Sequence, residues 1–259
     1  MDQQRTLTRS KLTTPRAAAV AGILFSVLLI ASLAIIRLAV PADPRDAGRW
    51  LAGDTSLIEV ALTLLPFAGI AFLWFIGVVR DRLGEHEDRL CATVFLGSGL
   101  LFLAMLFASA ALAGGILVAY GGSPAAGAAP AALLDSETYA FARATTFVII
   151  NTYAIKMAGV FMISTATIFL RTRVTPRWMA LLGYALALLL LVTISRLSGI
   201  ILVFPLWILL ISIYILIENY RRGPDTAVSG ADTAVSGADT VVSGADAARS
   251  VPVEQEGLR

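Results

Sequence analysis

Long apolar runs separated by short polar connections dominate the chain. They occupy residues 17–40, 57–79, 91–120, 144–170, 178–195 and 199–217. A bilayer core about 30 Å thick needs roughly 20 apolar residues in a helix. The first four runs meet that length comfortably and the last two lie at its low end. The pattern predicts an all-α protein: a six-helix transmembrane bundle over 17–217, preceded by a basic N-terminal tail over 1–16. Residues 218–259 read differently. TAVSGAD begins at Thr226 and again at Thr233, and TVVSGAD begins at Thr240. The seven-residue period is not a coiled coil, because its only sizeable apolar residues are valines and Gly230, Gly237 and Gly244 recur where a helix is weakened. Such a segment buries too little apolar surface to offset its ordering entropy, so a disordered cytoplasmic tail is expected.

The positions of the basic residues thread the helices. Arg5, Arg9, Lys11 and Arg16 precede the first run; Arg80, Arg82 and Arg89 follow the second; Arg171, Arg173 and Arg177 follow the fourth; Arg221 and Arg222 follow the sixth. These twelve stand against four in the intervening connections, Arg45, Arg49, Arg143 and Arg196. Lys and Arg concentrate in cytoplasmic loops. The alternation therefore predicts both termini in the cytoplasm. No cleavable signal peptide is expected, because the run after Arg16 is longer than a typical signal-peptide core.

Composition narrows the chemistry. The chain is 58% hydrophobic and 15% charged, with mean hydropathy +0.81. A net charge of +2 points to no nucleic-acid partner. The single cysteine, Cys91, and single histidine, His86, offer no internal disulfide and no multi-ligand metal or bis-histidine haem site. No phosphate loop, nucleophile elbow, zinc-protease motif or selectivity filter occurs. The expectation is no catalytic site, no metal, no cofactor and no enzyme activity. No repeat relates residues 17–120 to 144–217, so an inverted-repeat transporter gains no support.

One residue breaks the apolar pattern. Lys156 lies inside the fourth run, about nine residues past Phe147, or roughly 14 Å deep at 1.5 Å per residue. A lysine at that depth costs at least ~2.5–3.5 kcal/mol. Thr145, Thr152, Lys156, Gly159 and Thr167 recur at helical spacing with Asn151 close by, so this face is expected to look into protein or water while Ile150, Phe161 and Ile168 look elsewhere. A buried ammonium needs a receiver. Glu59, near the outer end of the second run, is the acid expected inside a span; Asn151, Tyr153 and carbonyls freed by Pro66 are the other candidates. The structural alternative is a lysine that ties two helices together or snorkels to the interface. Arg37 is expected to snorkel, Pro66 and Pro205 to kink their helices, and the small residues 109–115 to pack closely on other helices. Asp135 or Ser136 is placed to cap an outer extension of the fourth run, with Glu137 in its first turn.

Phe75-Ile76-Gly77-Val78-Val79-Arg80-Asp81-Arg82-Leu83-Gly84, with Glu87-Asp88-Arg89-Leu90 and Ala92-Thr93-Val94-Phe95-Leu96-Gly97-Ser98-Gly99-Leu100, resembles a block in an uncharacterised family of small bacterial multi-pass membrane proteins of about six spans. The resemblance implies the fold and a bacterial plasma membrane, and no activity. Two functions are expected from the residues. The first is a small transporter or channel-like module with a polar site of Lys156, Asn151, Thr152 and Glu59. The second is a structural or accessory subunit that binds a membrane-protein partner, or a second copy, through the small-residue face of the third helix. The lipid bilayer is the expected partner in both.

Overall fold

The computed structural model describes residues 2–40, 49–52, 55–81, 89–120, 137–172, 176–193 and 199–221. These residues form helices and short turns, with no strand among them. The helices are α1 (Asp2–Ala39), α2 (Ser56–Asp81), α3 (Arg89–Tyr120), α4 (Glu137–Val148), α5 (Ile155–Thr172), α6 (Arg177–Val192) and α7 (Val203–Arg221). A π-turn over Ile149–Ala154 joins α4 and α5 into one rod, so the bundle has six rods, as the apolar pattern requires. Residues 218–221, expected to belong to the disordered tail, extend α7 instead; the rest of the tail, and the loop holding His86, lie outside the described residues.

Five rods are long and apolar enough to cross a membrane: Ala17–Ala39, Ser56–Arg80, Leu90–Ala119, Glu137–Arg171 and Ile200–Arg221. The rod of α6 falls short. It has 16 residues, about 24 Å at 1.5 Å per residue. Large apolar side chains also cover the outside of the rods, among them Val20, Leu24 and Val27 on α1, Phe67 and Trp74 on α2, and Leu181 and Leu188 on α6. Water-soluble monomers rarely leave apolar surface this continuous. Length, composition and outer surface together define the architecture of a multi-pass membrane protein.

The centre of the bundle is aromatic. Phe25, Phe72, Phe102, Phe161 and Phe204, drawn from five different rods, meet with ring centroids 4.5–5.9 Å apart. Phe75 and Phe95 extend the cluster. Edge-to-face and tilted ring pairs add to the burial of their area. Around this centre α1 pairs with α2, α5 pairs with α6, and α3 lies along α4, the π-turn and α5. Close approach is set by small residues. At Gly22 an added Cβ would meet Ser212 Oγ at 2.0 Å, and at Gly183 it would meet the Trp207 ring at 2.7 Å.

One expected kink takes another form. Pro205 sits in the first turn of α7, where a missing amide proton costs no helical bond, so it starts a helix and does not bend one. The turn before it begins at Gly199, whose φ of 101° falls in the left-handed region that glycine enters freely. α2 remains one helix through Pro66. Glu137 does stand in the first turn of α4, as the sequence predicts.

Candidate functional site

The fourth rod carries the expected polar residues, and the π-turn divides them into two groups. A π-turn accommodates one residue more than an α-turn. Faces projected across it on a regular helix therefore slip by one residue, about 100° at 3.6 residues per turn. After the turn, Lys156, Gly159 and Thr167 face α6. Before it, Thr146 and, within it, Asn151 face a cavity between α1, α2 and α3. The expectation of a single polar face is corrected, because the turn divides it; Ile150, Phe161 and Ile168, expected to look elsewhere than that face, lie in or against the core.

Lys156 is received by a helix end. Its Nζ donates to the carbonyl oxygens of Leu190 and Thr193, each at 3.0 Å, and to that of Leu191. The last carbonyls of a helix have no partner within it, and its C-terminus carries partial negative charge. α6 stops at Val192, and Thr193 N–H returns to Leu189 O. The carbonyls of Leu190, Leu191 and Thr193, at and just past that end, are the ones the ammonium takes. The expected counter-charge, Glu59, is not among its partners. Glu59 is exposed in the first turn of α2, and Lys156 looks away from α2 toward α6. Lys156 stands 15 residues before Arg171, about 22 Å along the rod, and its Nζ is level with the end of α6.

The same interface is fastened lower down. Thr167 Oγ1 lies 2.7 Å from Tyr184 OH and also bonds Ile163 O at 2.8 Å. Since a carbonyl only accepts, Thr167 donates to Ile163 and Tyr184 donates to Thr167. Between the two fastenings Gly159 lets α5 approach; a Cβ there would stand 3.3 Å from Ala187 O. Lys156 and Thr167 thus join α5 to α6, while Asn151 and Thr152 belong to the π-turn. Thr152 O accepts the Ile155 amide, and Asn151 Nδ2 donates to Phe147 O at 3.0 Å.

The cavity measures about 180 Å³. It lies between two apolar clusters. Below it Leu33, Leu65, Leu106 and Ile201 belong to the central core, with Phe204 one turn beyond Ile201. Beside its rim Ile58, Ile116 and Leu117 pack with Leu51 and Tyr139. Its polar lining is Arg37, Arg143, Trp50, Ser109, Thr146 and Asn151. The Arg143 guanidinium lies 5.5 Å from the centre of the Trp50 ring, within cation–π range. Ser109 Oγ donates to Thr146 O at 3.3 Å, which brings the small-residue end of α3 against α4. Arg37 lines a cavity instead of only reaching for the interface, and a Cβ added at Gly115, at the end of that stretch, would meet nothing within 4 Å.

Sequence reading missed the cavity and the aromatic core. The usable signal was a phenylalanine well inside each of five runs, together with Arg37 and Arg143 near the ends of runs that the alternation of basic residues places on one side. No known protein family, curated protein or solved structure matches this chain. The resemblance carried by residues 75–100 thus gains no family, and the class that stands is the multi-pass membrane protein.

Proposed function

We propose that the protein is a non-enzymatic binding module of a bacterial plasma membrane, with both termini cytoplasmic, that takes a small molecule into the cavity beneath Trp50. The cavity carries this reading: it combines polar and apolar lining and is closed below by packed core. The distribution of basic residues supports the orientation, which puts the cavity on the outer side. Lys156 serves this module by holding α6 in place and does not itself meet the ligand. The test uses the purified full chain and a panel of small amphipathic compounds in a thermal-shift assay, beside Ala110→Trp, which fills the cavity. Stabilisation of the wild type that disappears in Ala110→Trp is expected. A wild type unmoved by every compound, or a variant that responds equally, overturns the reading.

The accessory-subunit reading draws on the open surface at Gly115. Native-membrane crosslinking from a Gly115→Cys variant tests it: a crosslinked partner or second copy supports it, and an isolated chain counts against it.

A further inference from the structure

We infer that the bilayer is thinned beside α6: the leaflet opposite Arg171 and Arg177 dips to meet the end of this helix at Thr193, and the partner of its outward face is phospholipid held thinner than along α2. The inference rests on the multi-pass architecture and not on the cavity or its ligand. Three observations carry it.

The first is length. α6 begins with exposed Arg177 and Trp178, a cation and an indole of the kind that settle at the membrane–water interface. Its outward side then runs through Leu181 and Leu188 to Val192, all exposed. Arg177 and Val192 are 15 residues apart, about 22 Å at helical rise. On α2 the exposed charges Glu59 and Arg80 stand 21 residues apart, about 32 Å. The α2 interval matches a hydrocarbon core of about 30 Å, and the α6 interval falls short of it by about 8 Å.

The second is level. α6 cannot close the gap by sliding outward along α5, because the two helices are attached at three heights. Lys156 Nζ holds Leu190 O and Thr193 O, each at 3.0 Å. Thr167 Oγ1 and Tyr184 OH are 2.7 Å apart. Between them the α5 backbone meets α6 closely at Gly159, where a Cβ would stand 3.3 Å from Ala187 O. Tilting offers no remedy, since it shortens the projection of a helix across the membrane and widens the gap.

The third is the chemistry of the end. Thr193 leaves the helix in extended conformation, and the ammonium and its carbonyl acceptors gather at the same level. Tyr153, three residues farther along the fourth rod, is 57% exposed, and tyrosine favours the interface. Irregular backbone is not tolerated against acyl chains. A span shorter than the hydrocarbon is accommodated by local thinning at modest cost.

The experiment measures the reaction of a membrane-impermeant maleimide with single cysteines in the full chain, in phosphatidylcholine nanodiscs and with Cys91→Ser as background. Val192→Cys reports the end of α6. Phe67→Cys reports α2 at nearly the same level, 13 residues or about 20 Å from Arg80. Both side chains face outward, so a cysteine removes no core packing, and Thr193→Cys repeats the comparison if Val192→Cys misfolds. In dioleoylphosphatidylcholine, Val192→Cys is expected to react roughly tenfold faster than Phe67→Cys, because headgroups and water reach only the former. Its rate is expected to rise by less than about threefold in the thinner dimyristoleoylphosphatidylcholine, because the dip already exposes it. A Val192→Cys as slow as Phe67→Cys in the dioleoyl lipid overturns the inference. If the thinner lipid then speeds it, the helix end is immersed in undeformed hydrocarbon; if it stays slow in both, a second copy or another part of the protein covers the end. Phe67→Cys reacting as fast as Val192→Cys in the dioleoyl lipid overturns the multi-pass reading itself.

Discussion

At the scale of the residue, Lys156 shows how a costly side chain and an incomplete helix solve each other's problem. An ammonium in hydrocarbon needs acceptors, and the end of α6 has carbonyls without donors. A charge-assisted hydrogen bond contributes ~1.5–3 kcal/mol, so two or three together offset the insertion cost. Replacing Lys156 with Met strands those carbonyls, and denaturant unfolding in detergent is expected to show a loss of about 2–3 kcal/mol. Replacing Glu59 with Gln is expected to change the same measurement by less than about 0.5 kcal/mol, since Glu59 is exposed and away from the clamp. An ion pair between the two residues would make both substitutions costly. The sequence made the need for a receiver legible through the depth of Lys156 in its run. The identity of the receiver was not legible, because it depends on the level at which a different helix stops.

At the scale of the element, the π-turn decides which face each residue of the fourth rod presents. It takes up one extra residue while the helices on either side keep their places. Deleting Thr152 is therefore expected to close the turn into regular helix, with the Lys156 clamp and thermal stability retained. Deleting Val160, inside α5, has no turn to absorb it. It rotates Phe161 out of the aromatic centre by about 100°, and a loss of about 3–5 kcal/mol is expected, the range for removing a buried phenylalanine. Circular dichroism melts of the two deletions separate these outcomes. A straight helical wheel merges Thr145, Thr152, Lys156 and Thr167 into one stripe. The wheel fails here because its assumption of constant pitch breaks at Ile149–Ala154, where no proline or glycine announces the change. α6 was legible as a short apolar run, and its shortness turned out to be what exposes acceptors to Lys156.

At the scale of the whole molecule, the aromatic centre separates the cavity from the opposite side of the bundle. Phe25, Phe72, Phe102, Phe161 and Phe204 are each at most 3% exposed and pack ring against ring across the bundle. Liposomes containing the protein are expected to show no conductance above protein-free liposomes. Phe72, which touches rings on four other rods, is the most consequential member. Phe72→Ala is expected to cost about 3–5 kcal/mol of stability, read by thermal denaturation in detergent. The cavity persists because it falls between two separately packed clusters, the central core and the smaller group around Leu51 and Tyr139.

Run length, hydropathy and the order of the runs determined the all-helical class, the six rods and the regions that enter apolar surroundings. These follow from local rules: hydrocarbon demands satisfied backbone, and about 20 apolar residues satisfy it as a helix. Tertiary structure alone decided which carbonyls receive Lys156, that Phe161 faces inward, and that Arg37, Arg143 and Asn151 line one cavity. Those outcomes depend on where the ends of separate helices come to rest against one another. In a chain whose apolar faces are nearly uniform, side-chain packing sets those levels, and sequence spacing carries no measure of them.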